Sequence, residues 1–273
     1  MICNNSRWTM VLAVVVALLV AASPASADAL GISWGGDVYS VDTATGSGTL
    51  IGASGFVGTN SMAEHNGVFY SATGNHLTGS EIFTIDPVTG VGTLVTTTSS
   101  AMDIRGMAFA ADGTMYVVRQ GGASTAVSDP DELWTVNATT GATAFVGNLG
   151  RADFQALGFA PSGALYAWSI NEGLFSVNVA TGAATDVNLA VGTDGADVQT
   201  LDFAADGTLF GATSALYTID SGTGAVAFVG SGGYSDLRGL SINSNPVPEP
   251  STFVLVALAS LGVIAARRRR ARR

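Results

Sequence analysis

One hairpin pattern recurs five times along this chain and constrains its fold more than any other feature. The copies are VYSVDTATGSGTLIG from Val38, IFTIDPVTGVGTLV from Ile82, LWTVNATTGATAFVG from Leu133, LFSVNVATGAATDV from Leu174 and LYTIDSGTGAVAFVG from Leu216. Each opens with the alternating apolar and β-branched or aromatic residues of a half-buried strand. Each then turns through an Asp or Asn, two variable positions, Thr and Gly. The Asx side chain accepts from backbone amides two residues on, and the glycine adopts a left-handed backbone at no steric cost. Asp42, Asp86, Asn137, Asn178 and Asp220, with Gly46, Gly90, Gly141, Gly182 and Gly224, are therefore turn chemistry.

A second pair of strands alternates with these hairpins. IRGMAFAADGTMYVV from Ile104, FQALGFAPSGALYAW from Phe154 and VQTLDFAADGTLFGA from Val198 share one plan, and SMAEHNGVFYSA from Ser61 is a degenerate copy. A full unit is thus four short strands, a to d. Antiparallel units of this kind repeating every ~40–50 residues are the signature of a β-propeller. The chain opens on a strand b, Leu30-Gly31-Ile32, and ends on a lone strand a, Leu237 to Ile242. The complementary halves predict an all-β, five-bladed propeller whose last strand completes the first blade, a closure that also protects strand edges. A β-solenoid or a sandwich is the remaining alternative for short strands with regular turns. In a propeller, Phe109, Phe159, Phe203, Tyr116, Tyr166 and Phe210 pack between blades.

Charge is distributed unevenly. All eleven basic residues are Arg, six of them in the last seven positions. Between Asp28 and Asn245 there are twenty acidic residues against Arg105, Arg119, Arg151 and Arg238, a net of about −16. Such a surface repels phosphate backbones and argues against nucleic acid as a partner, while leaving room for calcium. The lone cysteine, Cys3, precedes a hydrophobic run, so the domain that follows has no disulfide or thiol chemistry.

The two ends carry an address. Arg7, the apolar run Met10 to Ala22 and the small-residue stretch Ser23 to Ala27 form a secretory signal peptide spanning residues 1–27, with cleavage expected between Ala27 and Asp28. At the other end, the prolines from Pro246 to Pro250 are expected to end the sheet and form a linker. An apolar helix-forming run, Thr252 to Ala266, and the arginines at 267–273 follow. Val247-Pro248-Glu249-Pro250-Ser251, the short apolar run and the terminal Arg cluster together resemble the PEP-CTERM sorting signal. The resemblance covers residues 246–273 and rests on Pro248, Glu249 and Pro250. It implies a membrane exosortase that cleaves near this motif, contact with the membrane only through the helix before processing, and delivery to the cell surface or medium of an exopolysaccharide-producing bacterium. A plain single-span anchor is the alternative.

The repeat domain, residues 28–245, offers few sites. Its a–b and c–d turns are short and uniform, whereas the b–c loops vary, as at residues 74–80 and 120–132, and length variation on one face marks where function is grafted on a repeat. On that face Asp103 with Arg105, Asp153 with Gln155, Asp197 with Gln199, and Asp236 with Arg238 recur at the start of strand a, and Asn60 aligns with the Arg/Gln position. Positions i and i+2 share one side of a strand, so these residues are expected to ring the mouth of the central channel. They would either bind a small polar ligand, a cation or carbohydrate, or pair with one another. Asp129-Pro130-Asp131-Glu132 is a candidate calcium loop without the spacing of an EF-hand. His65 and His76 are too few for a His-based metal site. The expected function is a non-enzymatic extracellular module that binds or organises polysaccharide or a protein partner, with no cofactor. The alternative is a glycan-cleaving enzyme using the strand-start carboxylates, which requires a pair about 5–10 Å apart.

Overall fold

Period-2 patterning and turn signals at every boundary leave strands as the regular structure of this chain. The computed structural model describes residues 27–121 and 129–247, and among these every regular element is a β-strand. The expected signal peptide up to residue 26, the Pro248-Glu249-Pro250 motif and the tail after it lie outside the described residues. In chain order the strands are β1 (Ala27–Ser33), β2 (Asp37–Val41), β3 (Gly48–Ala53), β4 (Thr59–His65), β5 (Val68–Ile85), β6 (Gly92–Phe109), β7 (Met115–Arg119), β8 (Glu132–Val136) and β9 (Thr143–Asn148). They continue as β10 (Phe154–Phe159), β11 (Leu165–Ser169), β12 (Gly173–Val177), β13 (Ala184–Asp186), β14 (Thr200–Phe203), β15 (Leu209–Ala212), β16 (Leu216–Ile219), β17 (Val226–Gly230) and β18 (Leu237–Val247).

These strands form antiparallel sheets in the orders β18-β1-β2-β3, β10-β11-β12-β13 and β14-β15-β16-β17, plus a six-stranded sheet β4 to β9. Each long strand of the larger sheet carries two successive strands of the repeat. β5 carries strands b and c of the second unit, and β6 carries strand d of that unit and strand a of the third. The b–c and d–a connections here were expected as free loops. Instead they pair with each other, with Gly74 opposite Asp103, Asn75 opposite Met102 and Gly79 opposite Ala101.

The first strands of the units pack side by side at a hub. β18 lies against β4, β4 against β6, β6 against β10, β10 against β14, and β14 against β18. Glycine permits the closest of these approaches: a Cβ on Gly239 would meet the Met62 Cβ at 2.5 Å. Five apolar clusters lie between successive units. One joins Leu30, Ile32 and Val38 to Met62, Phe69 and Phe83, while another joins Phe210 and Leu216 to Ala29, Leu237 and Leu240.

The Asx–Thr–Gly turns form as the sequence predicts, and they have a second role at the rim. Asp42 Oδ1 accepts from the amides of Ala44 (2.8 Å) and Thr45 (3.1 Å), and the Asp86, Asn137, Asn178 and Asp220 turns repeat this pattern. All five turn glycines have positive φ, between 69° and 77°. Gly46 also abuts the outer strand of the fifth unit, where a Cβ would come within 2.5 Å of the Gly230 carbonyl carbon. Gly90 against Gly52 and Gly182 against Gly147 make the same contact one unit apart.

The expectation that the sheet stops at Ile242 is corrected. β18 continues to Val247 through Pro246, with Val247 opposite Ala27 and a register shift between that pair and Ala29–Ile242. Proline is accommodated because β18 is an edge strand with β1 on one side only.

Candidate functional site

The axis of the hub has two mouths, one at the starts of the first strands and one at their ends. At the start face Arg105, Gln155 and Arg238 come together, Arg238 reaches Gln199, and each of the four aspartates has a side-chain partner. Arg105 donates to Asp103 Oδ2 and to Gln120 Oε1, both at 2.6 Å. Asn171 donates to Asp153 at 2.6 Å, and Gln199 donates to Asp197 at 3.3 Å. Arg238 donates to Asp236 at 2.6 Å and crosses to Gln199 Oε1 of the neighbouring unit at 3.2 Å. Asp153 and Asp236 take left-handed backbones (φ 66° and 55°), which Asp tolerates better than most residues. Arg105, Gln155 and Arg238 line a constriction with Ser61 and Thr200. The buried Asn60 Nδ2 and Ser61 Oγ have no protein hydrogen-bond partner there. Trp34 lies at the edge of this mouth, 41% exposed, with the Arg238 guanidinium 5.4 Å from its ring centroid.

The candidate calcium loop is not assembled as a cluster. Asp131 turns inward, accepting from the amides of Gly121 (2.9 Å) and Phe154 (2.8 Å), and desolvation raises its pKa to about 6. Glu132 instead pairs with Arg119 (2.6 Å) and accepts from Trp134 Nε1 (2.8 Å). Among the described residues no group of three or more His, Cys, Asp or Glu side chains is placed to hold a metal ion. His65 ends β4 beside the a–b turn of the second unit, stacked on Phe109 with ring centroids 4.9 Å apart, as befits a packed side chain.

The opposite mouth carries two carboxylates that sequence reasoning passed over. Asp202 in β14 and Glu64 in β4 line a cavity of about 220 Å³ with Phe109, Phe159, Phe203 and Ser241. Asp202 Oδ2 accepts from the Ile242 amide at 2.7 Å and Oδ1 from the Phe203 amide at 2.9 Å. Burial is the main cause of its pKa rising to about 7, and the charge of Glu64 adds to it. Glu64 also accepts from the Gly67 amide of its turn. The repeat itself holds the signal that would have found them. Where the other units have Ala63, Ala108, Gly158 and Ser241, the fifth has Asp202; where three units have Phe109, Phe159 and Phe203, the second has Glu64.

Residues 246–270 match the family model described as the PEP-CTERM protein-sorting motif. No curated protein matches the chain in sequence. In structure, the chain is similar to a protein of a nidogen/laminin complex at 11% identity and a TM-score of 0.54, covering 80% of this chain and 99% of that one. It is also similar to a gluconolactonase from Xanthomonas campestris (12% identity, TM-score 0.48, 75% and 78% covered). A PQQ-bound aldose sugar dehydrogenase from Streptomyces coelicolor is a further likeness (15%, 0.47, 78% and 80%). At these identities the likeness concerns fold alone, and the neighbours are β-propeller-like proteins. The chain therefore joins a β-propeller-like repeat domain to a PEP-CTERM sorting motif, which marks an exported protein processed by an exosortase and sorted to the cell surface or beyond.

Proposed function

We propose that this protein is a non-enzymatic, five-bladed β-propeller that binds extracellular polysaccharide at the cell surface or in the exopolysaccharide matrix. The five-blade, closed reading is supported by the cyclic packing of β18, β4, β6, β10 and β14, and by apolar clusters between every pair of successive units. The address follows from the sorting motif, with removal of the signal peptide after Ala27 and of the tail near Pro248-Glu249-Pro250.

The observation that carries the binding reading is the start-face mouth. An exposed indole beside a fork of Arg, Gln and Asp side chains presents an apolar face and directional hydrogen bonds together, the combination a sugar ring requires. Trp34, Arg238, Gln199 and Asp197 supply it. The glycan-cleaving alternative has less support, because every strand-start aspartate is engaged by an Arg, Asn or Gln side chain. None stands as a free pair.

The test is co-sedimentation of the exported protein with exopolysaccharide isolated from the producing cells. Retention lost in Trp34→Ala and Arg238→Ala supports the reading; retention unchanged in both, or release of reducing ends by the wild type, overturns it. Intact mass of the surface form is expected to lack Arg273, and retention of the arginine tail would instead indicate a simple anchor.

A further inference from the structure

We propose that the cavity at the strand-end mouth, between Glu64 and Asp202, is a binding site for a primary ammonium group on a small organic ligand. The site is independent of the polysaccharide reading, since it lies at the opposite end of the hub from Trp34 and Arg238.

Three features converge on this ligand class. First, the two carboxylates depart from the repeat, which has small residues at the Asp202 position and Phe or Ile at the Glu64 position in the other units, so the packing plan of the fold does not demand them. Second, the lining contains no Arg, Lys or His to neutralise them, while Phe109, Phe159, Phe203 and Met107 supply an apolar wall. A cation is attracted to aromatic faces as well as to carboxylates, and it would offset the charge of Glu64 and of an ionised Asp202, whereas an anionic ligand would add to that charge. Third, Ser241 is fully buried and lines the cavity. Its Oγ lies close enough to Asp202 to favour the ionised carboxylate, yet completes no hydrogen bond of ordinary geometry. An ammonium group has three donors; the two carboxylates and this hydroxyl are three acceptors.

Other occupants fit less well. A divalent cation would ordinarily draw six or more oxygen ligands, and two carboxylates with one hydroxyl fall short. The cavity, at about 220 Å³, holds several water-sized volumes of roughly 30 Å³ each, enough for a short alkylamine or a single amino-sugar ring.

The ammonium group could come from a free amine or an amino sugar, and the experiment separates the two. Calorimetric titration of the exported protein would use butylamine, 1,4-diaminobutane and glucosamine, with butanol and glucose as uncharged counterparts. Binding of at least one ammonium probe at least tenfold tighter than its uncharged counterpart is expected. Preference for the alkylamines or for glucosamine identifies the source. Glu64→Gln, which leaves the Asp202 contact to Ile242 in place, should weaken binding at least tenfold, as should Asp202→Asn. Asp103→Asn, at the other mouth, should leave it unchanged. Equal binding of charged and uncharged probes, no binding of any ammonium probe, or unchanged affinity in Glu64→Gln overturns the proposal even if Asp202→Asn fails to fold.

Discussion

Ending the chain after Gly233 removes the strand that joins its two ends, and the structure sets the size of the effect. Tyr234 is nearly buried, and Leu237 and Leu240 are wholly inaccessible. At roughly 1.5–3 kcal/mol per fully buried side chain, the two leucines alone contribute about 3–6 kcal/mol. The cut also leaves one edge of β1 without its partner and removes the Ile242 amide from Asp202. A domain of ordinary stability, ~5–15 kcal/mol, loses much of its margin. Ending the chain after Val247 keeps the whole of β18 and removes none of these contacts. Thermal unfolding and limited proteolysis of the two exported chains make the comparison. The chain ending at Gly233 should melt at least 10 °C lower, or aggregate, and be cleaved rapidly near β1. Equal melting temperatures would refute ring closure, and the five-bladed reading with it.

Two further outcomes follow from the buried carboxylates and the rim glycines. Asp131 and Asp202 hold their protons more tightly folded, with pKa values of about 6 and 7 against 3.8. Their ionisation therefore costs stability as pH rises from about 4 through about 7, by at most about 3–4 kcal/mol each. The exposed turn carboxylates Asp86, Asp206 and Asp220 have the opposite sign, since hydrogen bonds from backbone amides lower their pKa values, and their contribution is lost below about pH 4. The melting temperature should be higher at pH 5 than at pH 8, and Asp131→Asn should reduce that difference; a higher value at pH 8 would contradict the assignment. Gly46→Ala should destabilise by more than 1 kcal/mol in a denaturant titration, because the left-handed turn and the Gly230 backbone both exclude a Cβ; a neutral result would mean that the first and fifth units are not in contact there.

Much of this architecture was legible because the sequence repeats. The turns at Asp42, Asp86, Asn137, Asn178 and Asp220 form as their chemistry dictates, and the strand-start residues Arg105, Gln155 and Arg238 meet at one constriction. What was missed depends on information between units. That Gly46 must fit against Gly230, or Gly239 against Met62, is a property of packing between units, where local propensity is silent. The continuation of β18 through Pro246 depends on its edge position, which only the assembled sheet reveals. Asp131 reads as part of a candidate calcium loop until Gly121 and Phe154 are seen to present their amides to it. Asp202 and Glu64 differ from the rest: their signal lies in the sequence, as departures from the repeat, and is overlooked when units are compared for what they share.

The pairing of β1 with β18 has a mechanical consequence. The strands are antiparallel, and Ala27 stands opposite Val247, so the outer ends of both lie together. A force drawing these ends apart acts across the ladder, loading its hydrogen bonds one after another from the Ala27–Val247 end. The seam yields as a zipper does under such a pull, at far lower force than strands made to slide past one another. Load borne through only one of the two strands does not open it this way. A domain built on this seam is suited to hang from a single attachment and poorly suited to serve as a link in a chain under tension.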